Sequence, residues 1–270
     1  MPPIDEEGFL GTEIEVYKKR IHKKYQDLFN YYRDFNRFLN KLKIRIEPKQ
    51  SDGRGKTIAL LFTKASETFQ AIYILCVNGL LADAEILNRA LYESTINLLY
   101  CSINEECHKN YAATLLAKTI ESVNYTIEKP EEFPKGFLGE AKAALPNLRK
   151  MLEDFGKKEN WKPPSIYKKA KDTGIVDLYQ TFYHLVSETA HSNAGSLERY
   201  IYLDEENTFK MILWGPRDKE IDIQLMTAIE LMEYLCQGLQ QYFGQPKEEE
   251  MVRFNKRKEA IWKGGEPNNL

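Results

Sequence analysis

The sequence predicts an all-α protein, a helical bundle of about eight helices with one small β-hairpin near residues 199–214. Three observations predict it. Apolar residues recur at spacings of three and four over most of the chain, the period of one helix face. Two neighbouring segments, 57–77 and 81–101, are apolar on nearly every side, as the central, most buried pair of a bundle must be. The stretch RYIYLDEENTFKMILW instead alternates β-branched or aromatic residues with polar ones around a DEEN turn, which predicts the hairpin.

The elements follow in order. Residues 12–43 predict one long helix, with Thr12 placed to cap it and Ile14, Tyr17, Ile21, Tyr25, Leu28, Tyr32, Phe35 and Leu39 forming its apolar face. Its other face carries Lys18, Lys19, Lys23, Lys24, Arg33 and Arg37. Pro48, Gly53 and Gly55 mark the loop that ends it, and Gly79 separates the two apolar helices. A helix over 105–128 is followed by the loop EKPEEFPKG and a helix over 137–155, which Pro146 is expected to kink or break. Ser165 caps a short helix that closes at Gly174, and 175–193 predicts another. After the hairpin, 221–243 reads as a strongly apolar helix. The organisation expected is a single domain over 1–244 and a charged tail over 245–270 with room for one more surface helix.

Composition limits the function classes. With 38 basic and 40 acidic side chains the net charge is −2, so any pull toward nucleic acid must come from a local patch. The opening MPPIDEEGFLGTE is acidic and lacks the pattern of a signal peptide, and no apolar stretch is expected to reach the roughly 18–20 residues that cross a bilayer. The four cysteines, Cys76, Cys101, Cys107 and Cys236, form no CxxC pair and sit among apolar helix positions, which predicts free thiols. A cytoplasmic protein with no membrane association is the expectation.

Familiar motifs do not complete. SDGRGKT resembles the end of a phosphate-binding loop, but position 50, where that loop needs a glycine, holds Gln50, and no hydrophobic strand precedes it. A flexible turn into the next helix accounts for it better. There is no GxSxG, no HExxH and no dinucleotide fingerprint, so no cofactor is expected.

What remains are two polar stripes. In GLLADAEILNRALYESTINLLYC, Glu85, Arg89, Glu93 and Asn97 step by four and share one face of an otherwise apolar cylinder. Desolvating an ion costs several kcal/mol, so an Arg89/Glu93 pair buried there must be paired or used. In IVDLYQTFYHLVSETAHSN, Tyr179, Tyr183, Ser187 and His191 also step by four. Should the two stripes face each other, His191 suits general acid–base work near neutral pH and Arg89 suits a phosphate or a developing oxyanion. The alternative role is a polar network that holds two helices in register. A competing set, His184, Glu188 and His191, lies on one tight face, and Glu188 to His191 repeats the ExxH spacing of Glu105 to His108. Paired ExxH segments hold metal in di-iron bundles, so these residues are the metal alternative.

The run NWKPPSIYKKAKDTGIVDLYQTFYHLVSETAHSNAGSLERY supplies Trp161, Ser165, Ile166, Gly174, Tyr179, Tyr183, Ser187 and His191, and NRALYEST supplies Arg89 and Glu93. Together these resemble a bacterial family known only as a domain of unknown function, DUF5677, over about residues 57–215. The resemblance implies a fold and a site at those residues, and no established activity. In outline such proteins are also similar to the HEPN nucleases of toxin and antiviral systems, which cut RNA with an Arg and a His four to six residues apart on one helix. This chain has no such pair, so Arg89 and His191 would have to meet across helices.

Three functions are therefore expected as alternatives. One is a metal-independent, RNase-like effector of a bacterial defence or toxin system, with RNA as partner and catalytic residues Arg89, Glu93, Tyr183, Ser187 and His191. Another is a non-enzymatic binding or regulatory module, with a partner protein or a second copy of the chain; a homodimer is expected from the amount of apolar surface on 57–77 and 221–243. The last is a metal-dependent enzyme using the ExxH segments.

Overall fold

The architecture is built around α3 (Gly53–Asn78) and α4 (Leu81–Ile103), and the computed structural model describes residues 6–158, 161–180 and 197–264. Asp52 starts α3 by accepting the Gly55 N–H at 2.7 Å, the geometry of an N-cap. Gly79 ends it in the left-handed region at φ +73°, which lets its own N–H and that of Leu80 reach back to Cys76 and Leu75. The chain reverses in that turn, and α4 packs along α3 as the sequence predicts for the central pair.

The pair is closed on one side by α9 (Ile221–Phe243). Ile221, Leu225, Ile229, Met232, Leu235 and Leu239 enter the core, and Asn88 of α4 donates to the Gln224 backbone and side-chain oxygens at 3.0 and 2.8 Å. On another side α1 (Ile14–Lys24) and α2 (Gln26–Arg45) bring an aromatic layer. The Tyr32 ring stacks on Phe69 at 3.8 Å, and its hydroxyl donates to the Phe69 carbonyl at 2.7 Å. The charged C-terminal segment forms α10 (Glu248–Gly264), which lays Phe254 against Phe35 and Phe38 at centroid distances of 5.1 and 5.0 Å.

Two further helices, α5 (Cys107–Glu128) and α6 (Lys135–Asp154), pair with each other around a separate small core of Ala113, Leu116, Ile120 and Leu152. The short α7 (Ile166–Asp172) lies on α4, and α8 (Val176–Leu178) follows it. Ser165 caps α7 through the Lys168 N–H, and the turn closes at Gly174, both as expected. Strands β1 (Ile201–Leu203) and β2 (Phe209–Ile212) form the antiparallel hairpin, with an irregularity between Tyr202 and Leu203. The Asp204 carboxylate shapes its turn by accepting the Glu206 and Thr208 N–H groups at 3.0 and 2.8 Å.

Several expectations are corrected. The long N-terminal helix is two helices, because Tyr25 leaves helical geometry at φ −112°, ψ 29° and sends its hydroxyl to the Asp218 carbonyl at 2.8 Å. Glu13 rather than Thr12 stands at the N-cap, and no side chain caps there. Pro146 lies within one continuous α6. SDGRGKT is a built corner and not a loose turn. Beyond the Asp52 cap, the Arg54 guanidinium donates to the Cys101 and Ser102 carbonyls at the end of α4 and lies 4.8 Å over the Tyr242 ring. Tyr242 in turn donates to Asp52 at 2.8 Å, so the ends of α3, α4 and α9 are tied together.

The cysteines also differ from expectation. Cys101 and Cys107 form a disulfide across the α4–α5 corner, with Cα atoms 5.2 Å apart, while Cys76 and Cys236 are free and buried. Apolar spacing placed all four correctly inside the fold, but it carries no information about which turn brings two of them together. Lastly, α3 is long and apolar enough to cross a membrane, where no such stretch was expected; it lies against α2, α4 and α9 on one side and leaves Leu60 and Ile74 exposed on the other.

Candidate functional site

The polar stripe of α4 forms as its spacing requires. The two ends of the stripe meet partners from other parts of the chain, and its middle pair meets within the helix. At one end Glu85 accepts from Arg199 at 2.7 Å, an ion pair with both side chains largely covered. One turn on, Arg89 Nε lies 3.6 Å from Glu93 Oε1. This pair is half-buried and not sealed: the Arg89 side chain is 20% exposed and that of Glu93 40%. Another turn on, the Asn97 amide oxygen accepts from Lys169 Nζ of α7 at 2.7 Å.

Lys169 is a residue the sequence reading missed. Its ammonium lies 5.7 Å from the ring centroids of both Tyr100 and Tyr111, inside the reach of a cation–π contact. Burial holds its pKa below the ordinary lysine value, because a charged amine is disfavoured where water is excluded. Burial likewise drives the Tyr111 phenol above its usual range, with the Glu93 carboxylate adding to the shift. Tyr100 accepts from the Asn104 amide at 2.8 Å and is held in place by it. Only a weak signal for Lys169 stood in the sequence, too short to single it out from the two lysines beside it. Ile166 and Ala170 mark the inward face of α7, and Lys169, three residues after Ile166, sits on the same side.

Of the second stripe, Tyr179 is described. It packs against the core and meets the Tyr167 ring edge-on at 5.5 Å. Tyr183, Ser187 and His191, and the metal alternative His184, Glu188 and His191, lie outside the described residues. Of the other ExxH segment, Glu105 is exposed, while the His108 ring is packed against Gly53. Among the described residues no three His, Cys, Asp or Glu side chains cluster as metal ligands do.

The basic face of α1 is partly neutralised by the chain itself. Lys18 pairs with Glu15 at 2.7 Å, and Asp218 lies 3.4 Å from Arg20 and 3.8 Å from Lys24. Beside it, His22, Lys23, Gln26, Phe29, Asn30 and Arg33 line a surface depression of about 320 Å³ with no carboxylate in its wall.

A model of a family of unknown function, DUF5677, matches residues 56–209, which span α3 to the hairpin and include the whole α4 stripe and Lys169. No curated protein and no solved structure matches the chain.

Proposed function

Because the chain belongs to this family of unknown function, whose membership assigns no chemistry, we propose from its own residues that the α4 stripe is a metal-independent acid–base centre acting on RNA. The observation that carries the reading is the Arg89/Glu93 pair: a guanidinium held by a carboxylate, in a stripe on one of the bundle's apolar central helices, and still open to solvent. Arg89 stabilises the charge that develops on a phosphodiester during cleavage, and Glu93 orients it. His191 moves the proton, with Ser187 and Tyr183 positioning it, as the four-residue steps of that segment propose. The carboxylate-free depression at His22, Lys23 and Arg33 supports contact with a phosphate backbone. Such an activity fits an effector of a bacterial defence or toxin system.

The test is degradation of labelled RNA in EDTA by the full chain and by Arg89→Ala and His191→Ala. Both substitutions are expected to slow cleavage by about 10²–10⁴-fold. Equal residual degradation in all three proteins overturns the reading. A second reading is favoured by one observation: each stripe residue has a partner within the chain, Glu85 with Arg199, Arg89 with Glu93, Asn97 with Lys169. A network of that kind sets helix register in a non-enzymatic binding module, and it is the reading that an inactive but well-folded wild-type chain selects.

A further inference from the structure

We propose that the Cys101–Cys107 disulfide is a reversible redox clamp that fixes the α5–α6 arm against the rest of the bundle. The arm is attached at few points. Most of α5 turns its apolar side to α6, in the separate core of Ala113, Leu116, Ile120 and Leu152. Among the described residues, only Cys107 and Tyr111 of α5, and none of α6, pack into the main core. The two sulfurs stand at that junction. Cys101 belongs to the bundle, where Arg54 near the start of α3 donates to its carbonyl. Cys107 opens α5. The bond therefore crosses from bundle to arm, over a Cα separation of 5.2 Å that suits a disulfide.

Its reach is local. The cysteines are six positions apart, and so short a loop takes little entropy from the unfolded chain. A chain of 270 residues with a core of this size does not need the staple that small scaffolds need. The effect falls on the neighbours instead. Tyr100 adjoins Cys101, Tyr111 lies one turn beyond Cys107, and the two rings flank Lys169 at 5.7 Å. The Glu93 carboxylate also acts on the Tyr111 phenol. Releasing Cys107 thus loosens the turn of α5 that meets Lys169 and Glu93, whichever function the α4 stripe serves. The chemistry is thiol–disulfide exchange with a dithiol as reductant. A donor thiolate bonds to Cys101 Sγ, and Cys107 Sγ leaves as a thiolate, which a helix N-terminus favours. The donor's second thiol then displaces Cys101 Sγ and closes the donor's own disulfide, so two electrons and two protons pass to the chain. An oxidised dithiol reverses each step. Both cysteines are buried beside a corner whose Ile103, Glu105 and Glu106 are exposed, so exchange proceeds as that corner opens.

The experiment holds the full chain at a series of ratios of reduced to oxidised dithiothreitol, maps its disulfides by mass spectrometry, and follows amide hydrogen exchange in each state. The Cys101–Cys107 bond is expected to open and re-form across the series, while Cys76 and Cys236 stay thiols. On reduction, exchange over residues 107–113 should quicken by about fivefold or more, with α3 and α9 keeping their protection. The double variant Cys101→Ser, Cys107→Ser should exchange like the reduced chain at every ratio. Should that variant fail to fold, the two redox states of the unaltered chain decide alone. A bond that never forms overturns the proposal, as does one that opens only when α3 and α9 also lose protection. Equal exchange over 107–113 in both states, or a folded double variant that exchanges like the oxidised chain, overturns it as well.

Discussion

At the residue scale, Lys169 ought to cost the fold stability, because partial burial disfavours its charged form and its acceptor among the described residues, the Asn97 amide, is neutral. Lys169→Met is therefore expected to raise stability by about 1 kcal/mol near neutral pH, the size of a common single stabilising substitution. The sign with pH is fixed. A lysine whose folded pKa is depressed binds fewer protons when folded than when unfolded, so native stability rises with pH through the alkaline range between the two values. The advantage of Lys169→Met should shrink accordingly as pH is raised, read by urea unfolding at neutral and alkaline pH; a constant difference contradicts it. This residue also shows how far the site was legible. The α4 stripe was readable because Glu85, Arg89, Glu93 and Asn97 stand out against apolar neighbours. Lys169 was not, because in IYKKAKD it is one lysine of three and a seven-residue helix gives periodicity little room.

At the element scale, the α3–α4 turn offers a sharp contrast between two glycines. Gly79 and Gly174 both adopt left-handed geometry, at φ +73° and +75°. Among the described residues a Cβ on Gly174 meets nothing within 4 Å, whereas on Gly79 it would come within 2.6 Å of Pro216 Cβ, 2.7 Å of the Tyr17 hydroxyl and 2.8 Å of the Arg217 backbone nitrogen. Gly174→Ala should cost about 1–2 kcal/mol, the left-handed penalty alone. Gly79→Ala adds overpacking of about 1–3 kcal/mol to the same penalty. Chemical denaturation of the two variants checks the order. Several helices were legible in existence and type, from Ser165 at the start of α7 to the clean apolar run of α9. The break at Tyr25 was hidden, since Ile21, Tyr25 and Leu28 keep helical spacing across it and the cause, Asp218, lies far along the chain.

At the scale of the whole molecule, the family match and the folding unit do not coincide. The match covers 56–209, yet α3 and α4 within it bury their faces against α2 and α9 outside it. The excised segment 56–209 is thus expected to be unfolded or aggregated, as judged by circular dichroism and gel filtration, while the full chain unfolds cooperatively. A cooperative transition in the fragment contradicts this. That α3 and α4 would be central was legible from their uniform apolarity; which distant segments cover them was not, because periodicity reports that a face is buried and not by what. Of the apolar surface expected to drive a homodimer, Leu225, Ile229, Leu235 and Leu239 of α9 are covered inside the bundle, while Leu60 and Ile74 of α3 stay exposed.

The seating of α9 has a consequence for the birth of the protein. Roughly 120 residues separate Ile103, where α4 ends, from Ile221, where α9 begins. At about 5–20 residues per second, translation leaves the greasy side of the α3–α4 hairpin uncovered for on the order of ten seconds. Asn88 waits through that interval for Gln224, still inside the ribosome. A chain whose synthesis ends ahead of residue 221 would therefore keep that apolar face exposed and prone to aggregate.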